Sequence, residues 1–175
     1  MNKIRRYKTL DHAVRAFGLV ASEFPGLKMV IGGVADDAGY AEELVELGKT
    51  VAPGRVLMFL NLSESEKDEL VRGAYAFVLP SPIEGFSLAT LEALAAGTPA
   101  IVSDGIPEEL VVDDLNGLRY HFGDITELAE RYRYLLAHPE LRARLSAGAG
   151  STAMNFSWEK SSAELETLLM QLVKS

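Results

Sequence analysis

The stretch from Leu79 to Val102, LPSPIEGFSLATLEALAAGTPAIV, leaves a chain that contains it few folds. An apolar run ends at Leu79 and a proline-rich corner follows. Residues from about Phe86 to Ala96 then read as a helix. Gly97 stands at the C-cap position and Pro99 just beyond it, which is a stop signal. Pro99 to Val102 reads as the next strand. Two carboxylates are set among these apolar and small residues, Glu84 in the corner and Glu92 inside the helix.

The same alternation fills the rest of the chain. Leu10, Val14, Phe17, Leu19 and Val20 form a helical stripe within residues 9–23. Leu27 to Ile31 reads as a strand stopped by Gly32-Gly33, residues 38–49 as a helix, and Arg55 to Leu60 as a strand. Ser63 with Glu66 three residues later has the form of a capping box, opening a helix to about Arg72. Ala74 to Leu79 is the following strand. Past Val102, Pro107 to Val111 reads as a short helix or turn, Asn116-Gly117 as a turn, and Leu118 to Tyr120 as a short strand. Asp124 and Glu127 predict a second capping box and a helix to about Ala137, broken by His138-Pro139. A helix over about 140–148 is loosened by Gly148-Ala149-Gly150. The last helix, about 157–173, carries an apolar stripe of Trp158, Leu165, Leu168, Leu169 and Leu172.

Strands that are continuously apolar, alternating with helices, predict a parallel sheet covered on both faces. The fold class is α/β, and 175 residues suit one domain spanning 1–175. The chain has no cysteine, which excludes disulfides, thiol catalysis and cysteine metal sites. A net charge of −8 speaks against general nucleic-acid binding. No apolar run reaches the length of a membrane-spanning helix, and the residues after Met1 lack the apolar core of a signal peptide. A cytoplasmic location is the expectation. Lys3, Arg5, Arg6 and Lys8 form a basic cluster against the acidic background, either a solvated tip or part of a site.

In a sheet of this kind ligands bind beyond the carboxyl ends of the strands. Gly32, Gly33, Asn61, the Pro80–Glu84 corner and Ser103–Gly105 all fall at such ends and are expected to line one rim. Gly85 lets a backbone approach a ligand closely. The amides of Phe86, Ser87 and Leu88 would lie at a free helix N-terminus, where unpaired N–H groups and the helix dipole favour an anion. An ordinary strand-to-helix loop reads the same way. Glu92 has Leu88, Ala89, Ala95 and Ala96 as helical neighbours. It is either a single exposed glutamate or a partly buried carboxylate placed to accept bonds from vicinal hydroxyls, such as those of a ribose. Gly48-Lys49-Thr50 imitates the end of a phosphate-binding loop, but Glu43 stands where the earlier glycine is required. No G-x-G-x-x-G follows a strand. Asp36-Asp37 and Asp113-Asp114 have no metal-ligand pattern around them and read as loop carboxylates.

The run EGFSLATLEA from Glu84 to Ala93, continuing into Ala96-Gly97-Thr98-Pro99, resembles the two-glutamate motif of family 4 (group 1) retaining glycosyltransferases of the GT-B fold. The preceding AYAFVLPS, the segment Ser103 to Glu108, Asn116-Gly117-Leu118 and Phe156-Ser157-Trp158-Glu159 match flanking features. Arg6-Tyr7-Lys8 resembles the family's basic segment after its first C-domain strand. The resemblance covers essentially the whole chain. It implies the C-terminal, donor-binding, Rossmann-like half of a GT-B enzyme that transfers a hexosyl group from a nucleotide diphosphate sugar to a glycan or lipid-linked acceptor with retention. Glu84 would lie against the transferred sugar, Glu92 would hold the ribose, and the Phe86–Leu88 amides with Lys8 would bind the diphosphate. No cofactor and no metal are implied. The acceptor site would belong to an N-terminal domain absent from the chain, which alone would be inactive, and any peripheral membrane association would come only through that half.

The chain departs from the family pattern in three places. Lys3 stands where an Arg is usual, and a Lys supplies charge without a bidentate fork. Thr9 and Asn61 each replace a frequent glycine. The family's first C-domain strand falls ahead of residue 3, so the resemblance implies a truncated first strand. The expected result is a split or distorted sheet, or a gap filled by another chain or by rearranged N-terminal residues. The terminal helix is expected either to pack on its own domain or to expose its stripe, toward the absent domain or toward a homo-oligomer. The alternatives are a non-catalytic Rossmann-like assembly module and a sugar-nucleotide epimerase of GT-B architecture.

Overall fold

A computed structural model describes residues 3–173, with the backbone alone at Trp158 and Val173. The elements run β1 (Lys3–Ile4), α1 (Leu10–Val20), β2 (Met29–Ala35), α2 (Ala38–Val51), β3 (Val56–Leu60), α3 (Glu64–Gly73), β4 (Phe77–Leu79), α4 (Leu88–Ala95), β5 (Ala100–Ser103), β6 (Gly117–Tyr120), α5 (Ile125–Ala137), α6 (Pro139–Ala153) and α7 (Trp158–Val173). All strand pairs are parallel, as continuous apolar strands require, and helices cover both faces.

The sheet is split. β1, β2 and β3 form one three-stranded sheet and β4, β5 and β6 another, with no ladder between β1 and β4. Among the described residues β1 consists of Lys3 and Ile4, paired with Val34 and Ala35 at the far end of β2. The two sheets are joined through side chains. Ala16, Phe17 and Val20 of α1 share a core with Leu128, Tyr132 and Leu135 of α5. A second core gathers Leu79, Leu94, Val102 and Leu110 around β4, β5 and α4, and a third gathers Ile4, Val14, Ile31, Tyr40 and Leu44.

The capping box at α3 is present: the Ser63 N–H donates to Glu66 Oε2 at 2.8 Å and the Glu66 N–H to Ser63 Oγ at 3.3 Å. The box at α5 is half formed. Asp124 Oδ1 accepts from the Glu127 N–H at 2.8 Å, but the Glu127 carboxylate accepts from the His121 N–H instead of reaching back. Gly97 ends α4 at φ +77°, the left-handed conformation a C-cap glycine permits.

Two expected boundaries are wrong for one reason. β2 does not stop at Gly32-Gly33 but runs through them to Ala35, and α6 does not loosen at Gly148-Ala149-Gly150 but continues to Ala153. Gly148 and Gly32 mark close approaches, whereas Gly150 has open space around it. A Cβ on Gly148 would stand 2.0 Å from the Leu115 carbonyl oxygen, and one on Gly32 would stand 3.2 Å from the Leu62 side chain. β4 is also shorter than expected, beginning at Phe77, and residues 107–111 form a turn.

α7 packs no broad face on the rest of the domain. Leu165, Leu168 and Leu169 are all exposed, so of the two readings of that stripe the open one holds. The side chain of Trp158 lies outside the described residues.

Candidate functional site

The corner after β4 is fixed from beneath. Ser103 Oγ donates to the Ser81 carbonyl, Ser81 Oγ donates to the Ile83 carbonyl at 3.2 Å, and the Glu84 N–H donates to the Gly105 carbonyl at 3.0 Å. Ser81 and Ser103 are fully buried. Gly105 is required by space, since a Cβ there would lie 2.1 Å from the Pro82 carbonyl oxygen. This bracing sets the Glu84 side chain inward, and Glu84 Oε1 lies 3.2 Å from Lys8 Nζ with both side chains nearly buried. The pair is ionic in distance, yet Oε1 takes no hydrogen bond among the described residues. A buried carboxylate oxygen without a hydrogen bond has room to accept one from a water or a ligand.

Lys8 reaches Glu84 because the chain turns sharply beside it. Arg6–Lys8 is a 3-10 turn, and Thr9 closes it at φ +46°. A β-branched residue in this left-handed region is a strained exception. Its hydroxyl donates to the Pro80 carbonyl at 2.5 Å, tying the turn to the end of β4. Asn61, after β3, stands at φ +56°, which asparagine tolerates better. Both departures from the family's glycines therefore fall where the backbone calls for glycine. Thr9→Val keeps the strain and loses the bond, so it is expected to lower stability by about 1–2 kcal/mol, while Thr9→Gly changes it by less than about 1. Urea denaturation of both variants checks this, and equal midpoints for Val and Gly would refute it.

α4 starts at Leu88, two residues later than the pattern suggests, with Ser87 as N-cap. Ser87 Oγ accepts from the Thr90 N–H at 3.3 Å and from Thr90 Oγ1 at 2.8 Å. The Phe86 amide thus precedes the helix, and Phe86 is exposed, resting on Phe156 with ring centroids 5.5 Å apart. Gly85 is open, with nothing within 4 Å of the place a Cβ would take.

Of the two readings of Glu92 the exposed one is correct: its side chain is 46% accessible. It faces the open space between the sheets and lies 3.3 Å from Lys67 Nζ. Lys67 also bonds Glu64, and the hydrogen bond to Glu64 above all raises its pKa. No pattern in the sequence announces Lys67 as a neighbour of Glu92, because only the packing of α3 beside α4 brings them together.

Lys3, Lys8, Gly32, Gly33, Lys67 and Glu92 share the walls of one cavity of about 780 Å³. Asn61, Pro80, Glu84 and the Gly85–Leu88 segment lie outside these walls. Lys3 turns to Asp36 at 3.4 Å, a carboxylate it shares with Arg5 at 2.5 Å, so its charge is already engaged. No group of three or more metal-ligating side chains occurs among the described residues. The nearly buried Lys8–Glu84 pair offers an ammonium and a carboxylate, the start of α4 offers amides without helical partners, and Glu92 offers a second carboxylate further along that helix.

Comparison with known proteins agrees with the sequence motif and the fold. The family model for glycosyl transferases group 1 matches residues 1–151. A D-inositol 3-phosphate glycosyltransferase of Actinosynnema mirum is 29% identical over 174 residues, covering 94% of this chain and 42% of that protein. An alpha-maltose-1-phosphate synthase of Mycolicibacterium smegmatis is 33% identical over 172 residues, covering 90% of this chain and 43% of that one. The chain thus spans less than half the length of these relatives. The fold is shared with the C-terminal domain of a group 1 glycosyl transferase (LpcC) from Francisella tularensis, with a TM-score of 0.80 at 22% identity over 89% of this chain and 82% of that one. It is shared also with HepE of Anabaena in complex with UDP, with a TM-score of 0.87 at 18% identity over 98% of this chain and 47% of that one. By the match of sequence and the agreement of fold, the chain belongs to the glycosyl transferases of group 1.

Proposed function

We propose that this chain is the donor-binding part of a retaining glycosyltransferase that takes a hexosyl group from a nucleoside diphosphate sugar. The observation that carries the reading is the nearly buried Lys8–Glu84 pair, whose carboxylate keeps an acceptor open at the head of α4. In this reading Glu84 accepts from hydroxyls of the transferred sugar. The amides at the start of α4 and the Lys8 ammonium take the diphosphate and stabilise its charge as the bond to the sugar breaks. Glu92 takes the ribose hydroxyls, with Lys67 beside it at 3.3 Å. Gly32, Gly33 and Asn61 form the rim toward the base, and Lys3 adds charge beyond Lys8.

The acceptor, a glycan or a lipid-linked sugar, is held by an N-terminal half of the kind the longer relatives have room for. The exposed face of α7 packs on that half. The reaction needs no cofactor and no resident metal, and takes place in the cytoplasm. HepE, which shares the fold, binds UDP and makes it the first ligand to try.

Isothermal titration of the chain with UDP, GDP and ADP tests this. One of the three is expected to bind weakly, with the Kd raised at least about tenfold by Glu92→Ala, the loss of a hydrogen bond to a charged group. Absence of heat with all three nucleotides, or affinity indifferent to Glu92→Ala, would refute it.

A further inference from the structure

β6 breaks the apolar pattern of its sheet at one residue. Leu118 and Tyr120 are buried in the core shared with α5, and Arg119 between them turns to the opposite face of the strand. A strand covered on both faces favours apolar residues throughout, so a guanidinium there has to be matched by acceptors. Backbone carbonyls supply the match. Arg119 Nη1 donates to the Val111 carbonyl at 2.9 Å, and Nη2 donates to the Ile106 carbonyl at 2.9 Å and the Asp104 carbonyl at 3.3 Å. Ile106 and Val111 are themselves buried. Among the described residues no backbone N–H of the loop donates to these three carbonyls. The Arg119 N–H adds a fourth tie, to Asp113 Oδ1 at 2.8 Å.

All four acceptors belong to the loop that joins β5 to β6. Two of them, the carbonyls of Asp104 and Ile106, flank Gly105. The Gly105 carbonyl accepts from the Glu84 N–H at 3.0 Å. One guanidinium therefore grips the backbone on either side of the group from which the Glu84 backbone hangs. Ser103 and Ser81 brace the same corner from the end of β5, and Arg119 braces it from β6. A planar fork meets several carbonyls at fixed spacing, which a lysine ammonium on a flexible stem does not.

We infer that Arg119 is a positioning residue for Glu84. Acting through the Gly105 carbonyl, it sets where the Glu84 carboxylate stands relative to the Lys8 ammonium, 3.2 Å away. Its consequence for the sugar rests on the donor-binding reading, in which Glu84 takes the sugar hydroxyls. The placement of Glu84 against Lys8 does not.

The test puts Lys8→Met, Glu84→Gln and their combination into the parent, Arg119→Lys and Arg119→Leu chains, and urea denaturation gives the Lys8–Glu84 coupling in each. The coupling is expected to fall to less than about half in Arg119→Lys and further in Arg119→Leu. The Glu84 amide is expected to exchange with solvent at least about tenfold faster in Arg119→Lys, with the Ile101 amide of β5 changed much less. Should Arg119→Leu fail to fold, the lysine variant decides. Coupling equal to the parent's in Arg119→Lys would overturn the inference. So would equal acceleration at Glu84 and Ile101, which marks general loosening of the domain. In titration, affinity for UDP-glucose is expected to drop at least about fivefold in Arg119→Lys while that for UDP stays within about twofold, since only the sugar meets Glu84. If UDP, GDP and ADP all fail to bind the parent chain, the donor reading falls, and the coupling still decides the role of Arg119.

Discussion

Lys8→Met is expected to cost about 3–5 kcal/mol of stability, a large part of what a domain has. The substitution keeps the apolar stem and removes only the ammonium, leaving Glu84 charged, nearly buried and without its partner. Adding Glu84→Gln is expected to recover most of the loss, because the amide carries no charge to desolvate. Under the proposed function, the double variant is then folded but lacks the groups assigned to the diphosphate and the sugar, so its nucleotide affinity is expected to stay low while stability returns. Urea denaturation of the parent, the two single variants and the double variant gives the coupling directly. A double variant no more stable than Lys8→Met alone would mean that the pair does not hold its own charges.

The second large effect separates two neighbouring glycines. Gly105→Ala puts a methyl group 2.1 Å from the Pro82 carbonyl oxygen, a clash of backbone with side chain that no rotamer relieves. The expected loss is about 3 kcal/mol, or a melting temperature about 10 °C lower, with the Glu84 corner displaced. Gly85→Ala meets nothing within 4 Å and is expected to leave stability within about 0.5 kcal/mol. If the backbone at Gly85 approaches a ligand, only nucleotide or sugar binding reports it. Thermal melts of the two variants side by side decide the matter, and equal melting would show that the 81–84 corner yields freely.

The order of elements was legible because it rests on local chemistry. Ser63 with Glu66, and Gly97 with Pro99, act within a turn or two of chain, and both work as the sequence suggests. The errors fall where a residue type is chosen by something distant. Gly148 sits in mid-helix to admit the Leu115 carbonyl, which no local rule distinguishes from a helix breaker. Thr9 and Asn61 hide left-handed turns behind residues that seldom make them, and only the resemblance to a family with glycine there hints at it. At the candidate site, both glutamates stand out in the sequence as carboxylates in an apolar stretch, while Lys8 enters only through the resemblance to the family. The accessibility of Glu92 and its contact with Lys67 were not, because they depend on how α3 lies beside α4.

The split of the sheet among the described residues leaves a seam between its two halves. Across the seam run the packing of α1 on α5, the Tyr132 hydroxyl donating to the Ala13 carbonyl at 3.4 Å, and the Arg133–Glu23 pair at 2.8 Å. Among the described residues no ladder of backbone bonds spans it, so opening on one side need not unzip a strand on the other. Lys8 belongs to one half, Glu84 and α4 to the other. A molecule held by both is therefore a clamp on the seam. At a hundredfold excess over its Kd it adds about 2.7 kcal/mol to the force that keeps the halves closed.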